Sequence, residues 1–157
     1  MKQHTWKIYA AWILFTEAVG SLSGWLTRDG AKAYSESIIQ PPLSPPALVF
    51  PIVWGILFAL MGIGAARIYL TSPSRERTSS LRIFLLQLAF NFFWSILFFN
   101  FQAFGAALVW LVILWGLILW MITSFHKVDP LAAWLQVPYL LWVTFAAYLN
   151  YGVWILN

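Results

Sequence analysis

The sequence predicts an all-α membrane protein, a bundle of five transmembrane helices in a single domain over residues 1–157. Three observations carry that prediction. The chain is 62% hydrophobic and 9% charged, with mean hydropathy +0.79, more apolar surface than a soluble domain of this size can bury. Five apolar stretches, at 6–26, 47–69, 81–100, 104–125 and 131–155, are each long enough to cross a bilayer. Positive charge also collects on alternate connections. One side holds Lys2, Lys7, Arg67, Arg75, Arg77, Arg82 and Lys127, and the other holds Arg28 and Lys32. Cytoplasmic loops are enriched in Lys and Arg, so this asymmetry predicts a cytoplasmic N-terminus, with the C-terminus outside.

The first stretch follows MKQHTWK, a start that resembles a signal peptide. Glu17 interrupts it and no small-residue cleavage pattern follows, so it reads as a helix. The connection at 27–46 is the longest and carries Asp29, Tyr34 and Glu36. It ends in QPPLSPP, where proline fixes φ, removes the backbone donor and pushes the preceding residue toward extended geometry. An extended lid should therefore end at Pro45 and Pro46 and launch the second helix near Ala47, because proline is tolerated in a first helical turn. The polar connection at 71–80 contains Pro73. The turn at 100–103 is short enough to force an antiparallel hairpin, and the connection at 126–130 ends on Pro130.

Composition excludes several functions. The chain has no cysteine, hence no disulfide, thiolate chemistry or cysteine-held metal or haem. His4 and His126 lie outside the spans, which argues against a metal site, and no cofactor is expected. Charges this sparse form no nucleic-acid-binding face. Ser/His/acid sets, paired carboxylates and phosphate-cradling glycine loops are missing from the sequence.

Polar residues within a span usually face the bundle interior. On the third helix Gln87, Asn91 and Ser95 recur every four residues, with Trp94 beside them. On the fifth, Pro138, Trp142, Ala146 and Asn150 do the same, and Pro138 should kink the helix. Trp54, Phe58, Gly62 and Ala66 form the matching row on the second. Each row on its own fits inter-helix packing, and the three together suggest a pocket for a flat apolar ligand with a few polar handles. Glu17 reads either as a proton-coupling group or as a protonated acid hydrogen-bonded to a neighbouring helix. Gly20, Ser21, Ser23 and Gly24 suggest close packing of the first helix, and Gly62 with Ala66 forms a small-residue dimerisation motif. Trp110, Trp115 and Trp120 do not share one face, which points to lipid contact or packing.

QPPLSPPALVFPIVWGILFALM (40–61), QLAFNFFWSILFF (87–99) and VPYLLWVTFAAYLNY (137–151) resemble the three signature segments of the tryptophan-rich sensory protein/translocator protein family (TspO/MBR), also called peripheral-type benzodiazepine receptors. That resemblance covers essentially the whole chain. It implies a five-helix bundle, usually a homodimer, in a membrane (here the bacterial cytoplasmic membrane), with a pocket under the first loop. The ligands it implies are porphyrins such as protoporphyrin IX, and benzodiazepine or isoquinoline-carboxamide drugs. Carried over by position, the pocket residues fall on Trp54, Asn91, Trp142 and Ala146. The first-loop Trp-Tyr pair meets Tyr34 and Ser35 without a gap, and a one-residue shift places Tyr34 on the tyrosine. The expected ligand-binding set is therefore Tyr34, Pro45, Pro46, Trp54, Phe58, Gln87, Asn91, Trp94, Tyr139, Trp142, Ala146 and Asn150. Two alternatives to binding and sensing stay open: light-dependent porphyrin breakdown using Trp54 or Trp142, and proton-coupled transport using Glu17. Gln40 and Leu43 replace the family's usual lysine and tryptophan. No basic residue follows Leu149-Asn150-Tyr151, so no strong sterol binding is expected.

Overall fold

The computed structural model describes residues 4–157, so Lys2 lies outside the described residues. Those residues fold into helices α1 (Thr5–Leu26), α2 (Arg28–Ser37), α3 (Val49–Tyr69), α4 (Arg75–Ser95), α5 (Phe104–Val128), α6 (Pro130–Trp134) and α7 (Val137–Leu156). A π-helical turn, Ile96–Asn100, extends α4. Four helical stretches are long and apolar enough to cross a membrane: Val49–Tyr69, Arg75–Asn100, Phe104–Val128 and Pro130–Leu156. The chain is thus an integral membrane protein. α1 has the length of a span but is less apolar, because Thr16, Glu17, Ser21 and Ser23 interrupt it.

Several boundaries differ from expectation for local reasons. The connection at 27–46 is partly helical. Its Ala31, Lys32, Ala33 and Glu36 favour a helix, which lasts until Ile38 turns extended ahead of the prolines. Gly30 lets α2 dock on the π-turn, since a Cβ there would stand 2.6 Å from the Phe99 carbonyl oxygen. α3 begins at Val49 rather than at Ala47. α4 begins six or so residues earlier than its apolar stretch, because the Ser74 side chain accepts a hydrogen bond from the Arg77 amide and caps it. The expected kink at Pro138 is instead a break at Leu135–Gln136, and Pro138 sits in the first turn of α7, where its missing donor leaves no bond unmade.

The core runs between α3, α4, α5 and α7, around Met61, Phe84, Leu114, Ile118, Phe125 and Tyr139. α1 lies along α3 at closest approach by Gly62, where a Cβ would come 2.6 Å from the Ile13 Cα. Beside it the Thr16 hydroxyl donates to the Phe58 carbonyl at 2.7 Å. Gly62 and Ala66 are buried within the bundle, so this pair serves the α1–α3 contact and presents no free dimerisation face. Arg67 pairs with Asp129 and ties the C-terminal end of α3 to the start of α6. Trp110 stacks on Phe90 at 4.3 Å and donates to its carbonyl, Trp115 donates to Thr144, and Trp120 is exposed. The remaining exposed tryptophans, Trp6, Trp25, Trp134 and Trp154, lie close to helix ends, the position of an interfacial aromatic belt.

Candidate functional site

The half of the bundle nearer the proline segment encloses a cavity of about 510 Å3, walled by α1, α3, α4 with its π-turn, and α7, and roofed by α2 and the proline segment. The roof is fastened to α7. Asn157 accepts from the Ile39 amide at 3.1 Å and donates to the Ile39 carbonyl at 2.8 Å. The Tyr148 hydroxyl donates to the Pro42 carbonyl at 2.7 Å. Pro41 fills the space that a side chain at Gly152 would need. Two residues on, Leu43 holds φ 70°, a left-handed conformation that favours glycine, so the turn is strained and depends on these anchors.

Of the residues expected to bind ligand, Tyr34, Pro45, Trp54, Phe58, Asn91, Trp94, Trp142, Ala146 and Asn150 border the cavity. Pro46, Gln87 and Tyr139 do not. Pro46 is exposed on the outer side of the lid. Tyr139 is fully buried behind the wall, where its hydroxyl accepts from Asn91 Nδ2 and donates to Gln87 Oε1, both at 2.7 Å. Those two side chains act through Asn91, since the shared hydroxyl fixes the Asn91 amide with its nitrogen inward. Its carbonyl oxygen has no side-chain partner among the described residues, and the residue borders the cavity.

The aromatic surface comes from several helices. Trp54 packs on Phe58 at 5.6 Å and edge-on to Tyr139 at 6.2 Å, and Trp142 meets Phe50 at 5.9 Å. The Trp142 indole nitrogen is buried with no hydrogen-bond partner. Trp94 lies against Phe98 at 5.1 Å, and its indole donates to Asn150 at 3.1 Å. Asn150 in turn donates to the Phe104 carbonyl at 2.8 Å, so its amide is taken up in bracing α4 and α5 against α7. Tyr34, on α2, rests on Phe98 and Phe99 at 5.4 Å, and burial pushes its phenol above the ordinary value, which keeps it a neutral donor.

Reading the three stripes missed Phe50, Phe98, Phe99 and Leu149, which also line the cavity. Helical spacing could have found three of them: Phe50 and Phe98 stand one turn from Trp54 and Trp94, and Leu149 stands three residues after Ala146. The small residues of α1, expected to pack closely, divide. Gly20 does meet the Phe58 ring, whereas Gly24 has nothing within 4 Å and opens onto the cavity. Glu17, Ser21 and Thr27 share that face. Among the described residues the lining contains one carboxyl, Glu17, and no Lys, Arg or His.

Comparison with known proteins now decides the family. The model of the TspO/MBR family matches residues 12–155. The chain belongs to that family. It is 38% identical over 141 residues to the tryptophan-rich protein TspO of Chlorobaculum tepidum, covering 89% of each chain. It is 34% identical to the translocator protein of Bos taurus, covering 95% of this chain and 89% of that one. To the tryptophan-rich sensory protein of Cereibacter sphaeroides it is 29% identical, covering 97% and 92%. The family match takes in the lid, the α1 wall and the Tyr148 and Gly152 contacts of α7, and stops short of Asn157.

Proposed function

We propose that the chain is a membrane binding or sensory protein that encloses a flat aromatic ligand, a protoporphyrin IX-like tetrapyrrole or an aromatic drug, beneath the proline lid. The cavity of about 510 Å3, walled by indole and phenyl rings from three helices and the π-turn, carries this reading, since drug-sized ligands occupy such volumes. Membership of a family whose members are named sensory and translocator proteins supports it. Trp54 and Trp142 offer ring surface and Asn91 an acceptor. In this reading α1 is the fifth span, its cost offset by the α1–α3 contact. The N-terminus is then cytoplasmic, the lid and C-terminus face outward across a bacterial cytoplasmic membrane, and the protein forms a homodimer.

Titrating the purified chain with protoporphyrin IX while following tryptophan fluorescence tests the assignment. Trp54→Ala and Asn91→Ala should each weaken binding about five- to tenfold, as expected for losing one stacking or polar contact, with helical content retained. Unchanged curves for both variants would sink it. A second reading, light-driven breakdown of the bound ring, is favoured by the two oxidisable indoles, Trp54 and Trp142, bordering the cavity. Illumination with oxygen should then give a new absorbing product that is lost in Trp54→Phe or Trp142→Phe, and persistence of the product in both would remove the indoles from the reaction.

A further inference from the structure

We propose that Glu17 makes the deep end of the cavity selective for flat aromatic ligands that carry a positive charge, such as ring systems bearing a protonated amine or amidine. The inference rests on the cavity being the ligand site and adds which ligands it prefers.

Glu17 borders the cavity, and among the described residues neither an ion pair nor a hydrogen bond engages its carboxyl. The ion pair found, Arg67 with Asp129, sits at the opposite end of α3, on the side away from the lid. The rest of the cavity lining is uncharged, including Gly20 and Ser21 on the same helix, Phe58 on α3 and Asn91 on α4. Tyr34, the other titratable group of the lining, lies at the roof. Glu17, Gly20, Ser21, Gly24 and Thr27 follow one face of α1, so the carboxyl stands roughly 15 Å along the helix from the lid end.

An ionised carboxyl in apolar surroundings is unstable without a partner, and the protein supplies none here. A cationic ligand supplies it and gains the faces of Trp54 and Phe58 as further attraction for its charge. A dicarboxylate gains nothing at this end. A tetrapyrrole acid must keep its carboxylates toward the lid, whereas a cationic aromatic is drawn inward.

The test uses the purified full chain and two planar probes of matched shape at mildly alkaline pH: 9-aminoacridine, cationic there, and acridine, neutral there. Binding is read from tryptophan quenching. The unmodified chain should prefer the cation by about tenfold. Glu17→Gln should abolish that preference while acridine affinity stays within about twofold, and Glu17→Asp should keep most of it. An undiminished preference in Glu17→Gln, or no preference in the unmodified chain, overturns the assignment to Glu17. If Glu17→Gln does not fold, loss of the preference in folded Glu17→Asp overturns it too. The cavity reading is scored separately, by whether Trp54→Ala weakens acridine binding; acridine bound equally by both chains overturns that reading and this inference with it.

Discussion

The α4–α7 side of the cavity is braced by side-chain hydrogen bonds between helices, with Gln87 Nε2 and Trp142 Nε1 left over, whereas on the α1 side Ser23 and Thr27 bond only to backbone carbonyls and one carboxyl stays open. On the first side Trp94, Asn150 and the Phe104 carbonyl form one chain of hydrogen bonds, and Asn91, Tyr139 and Gln87 form another. On the second, Glu17 has no partner among the described residues and Gly24 faces empty space. Polar residues inside a membrane bundle are thus not equivalent pointers to function. Those whose bonding capacity is filled by the scaffold set the shape, and those with capacity to spare, Glu17 and the Asn91 oxygen, are the candidates for ligand contact.

The largest expected effect comes from cutting a brace. Asn150→Leu leaves the Trp94 indole N–H and the Phe104 carbonyl without their partner at the half-buried junction of α4, α5 and α7. We expect a loss of about 2 kcal/mol in unfolding from mixed micelles followed by circular dichroism. A loss below the scatter of that measurement would place Asn150 among the ligand contacts rather than the braces. Tyr139→Phe should cost a similar amount, about 2 kcal/mol, because the fully buried Gln87 amide loses its partner while Asn91 keeps cavity access. It should nonetheless weaken ligand binding, since the Asn91 amide loses its fixed orientation. Unchanged affinity would mean that Asn91 does not contact the ligand.

The lid gives an intermediate case, held by side-chain bonds at one edge. Asn157→Ala removes both bonds to Ile39 at the end of the chain, with a stability cost expected below about 1 kcal/mol. Ligand should then leave about three- to tenfold faster in stopped-flow displacement, since affinity changes fall mainly on dissociation. An unaltered off-rate would show that Pro41 against Gly152 and Tyr148 on Pro42 suffice to hold the roof.

Where the sequence was legible, the periodicity was simple. Spans over α3, α4, α5 and α7 follow from length and apolarity, and Trp54, Asn91, Trp142 and Ala146 follow from four-residue spacing combined with the family resemblance. Three features were not legible, each for a tertiary reason. α2 is a short polar helix whose docking depends on Gly30 approaching the Phe99 carbonyl, a contact almost seventy residues away. Gln87 carries the same spacing signal as Asn91, and Tyr139 stands beside the Pro138 row, yet the two side chains turn to each other behind the cavity wall. Pro138 could kink a continuous helix or open a new one, and Gln136 settles it by sending its amide to the Leu60 carbonyl on α3.

The smallest expected effect is the sharpest test of the contrast, because it sets two glycines of one helix against each other. A methyl at Gly20 would overlap the Phe58 ring, so Gly20→Ala must push that ring and should cost about 1–3 kcal/mol. Gly24 is one turn further on, and a methyl there meets nothing within 4 Å. Gly24→Ala should therefore leave stability within about 0.5 kcal/mol, or raise it slightly through the better helix propensity of alanine. The added methyl projects into the cavity, so affinity for a large planar ligand should fall a few-fold while the bundle is unperturbed. Were Gly24→Ala as costly as Gly20→Ala, α1 would be close-packed along its whole length, and the open wall on which ligand entry to Glu17 depends would not exist.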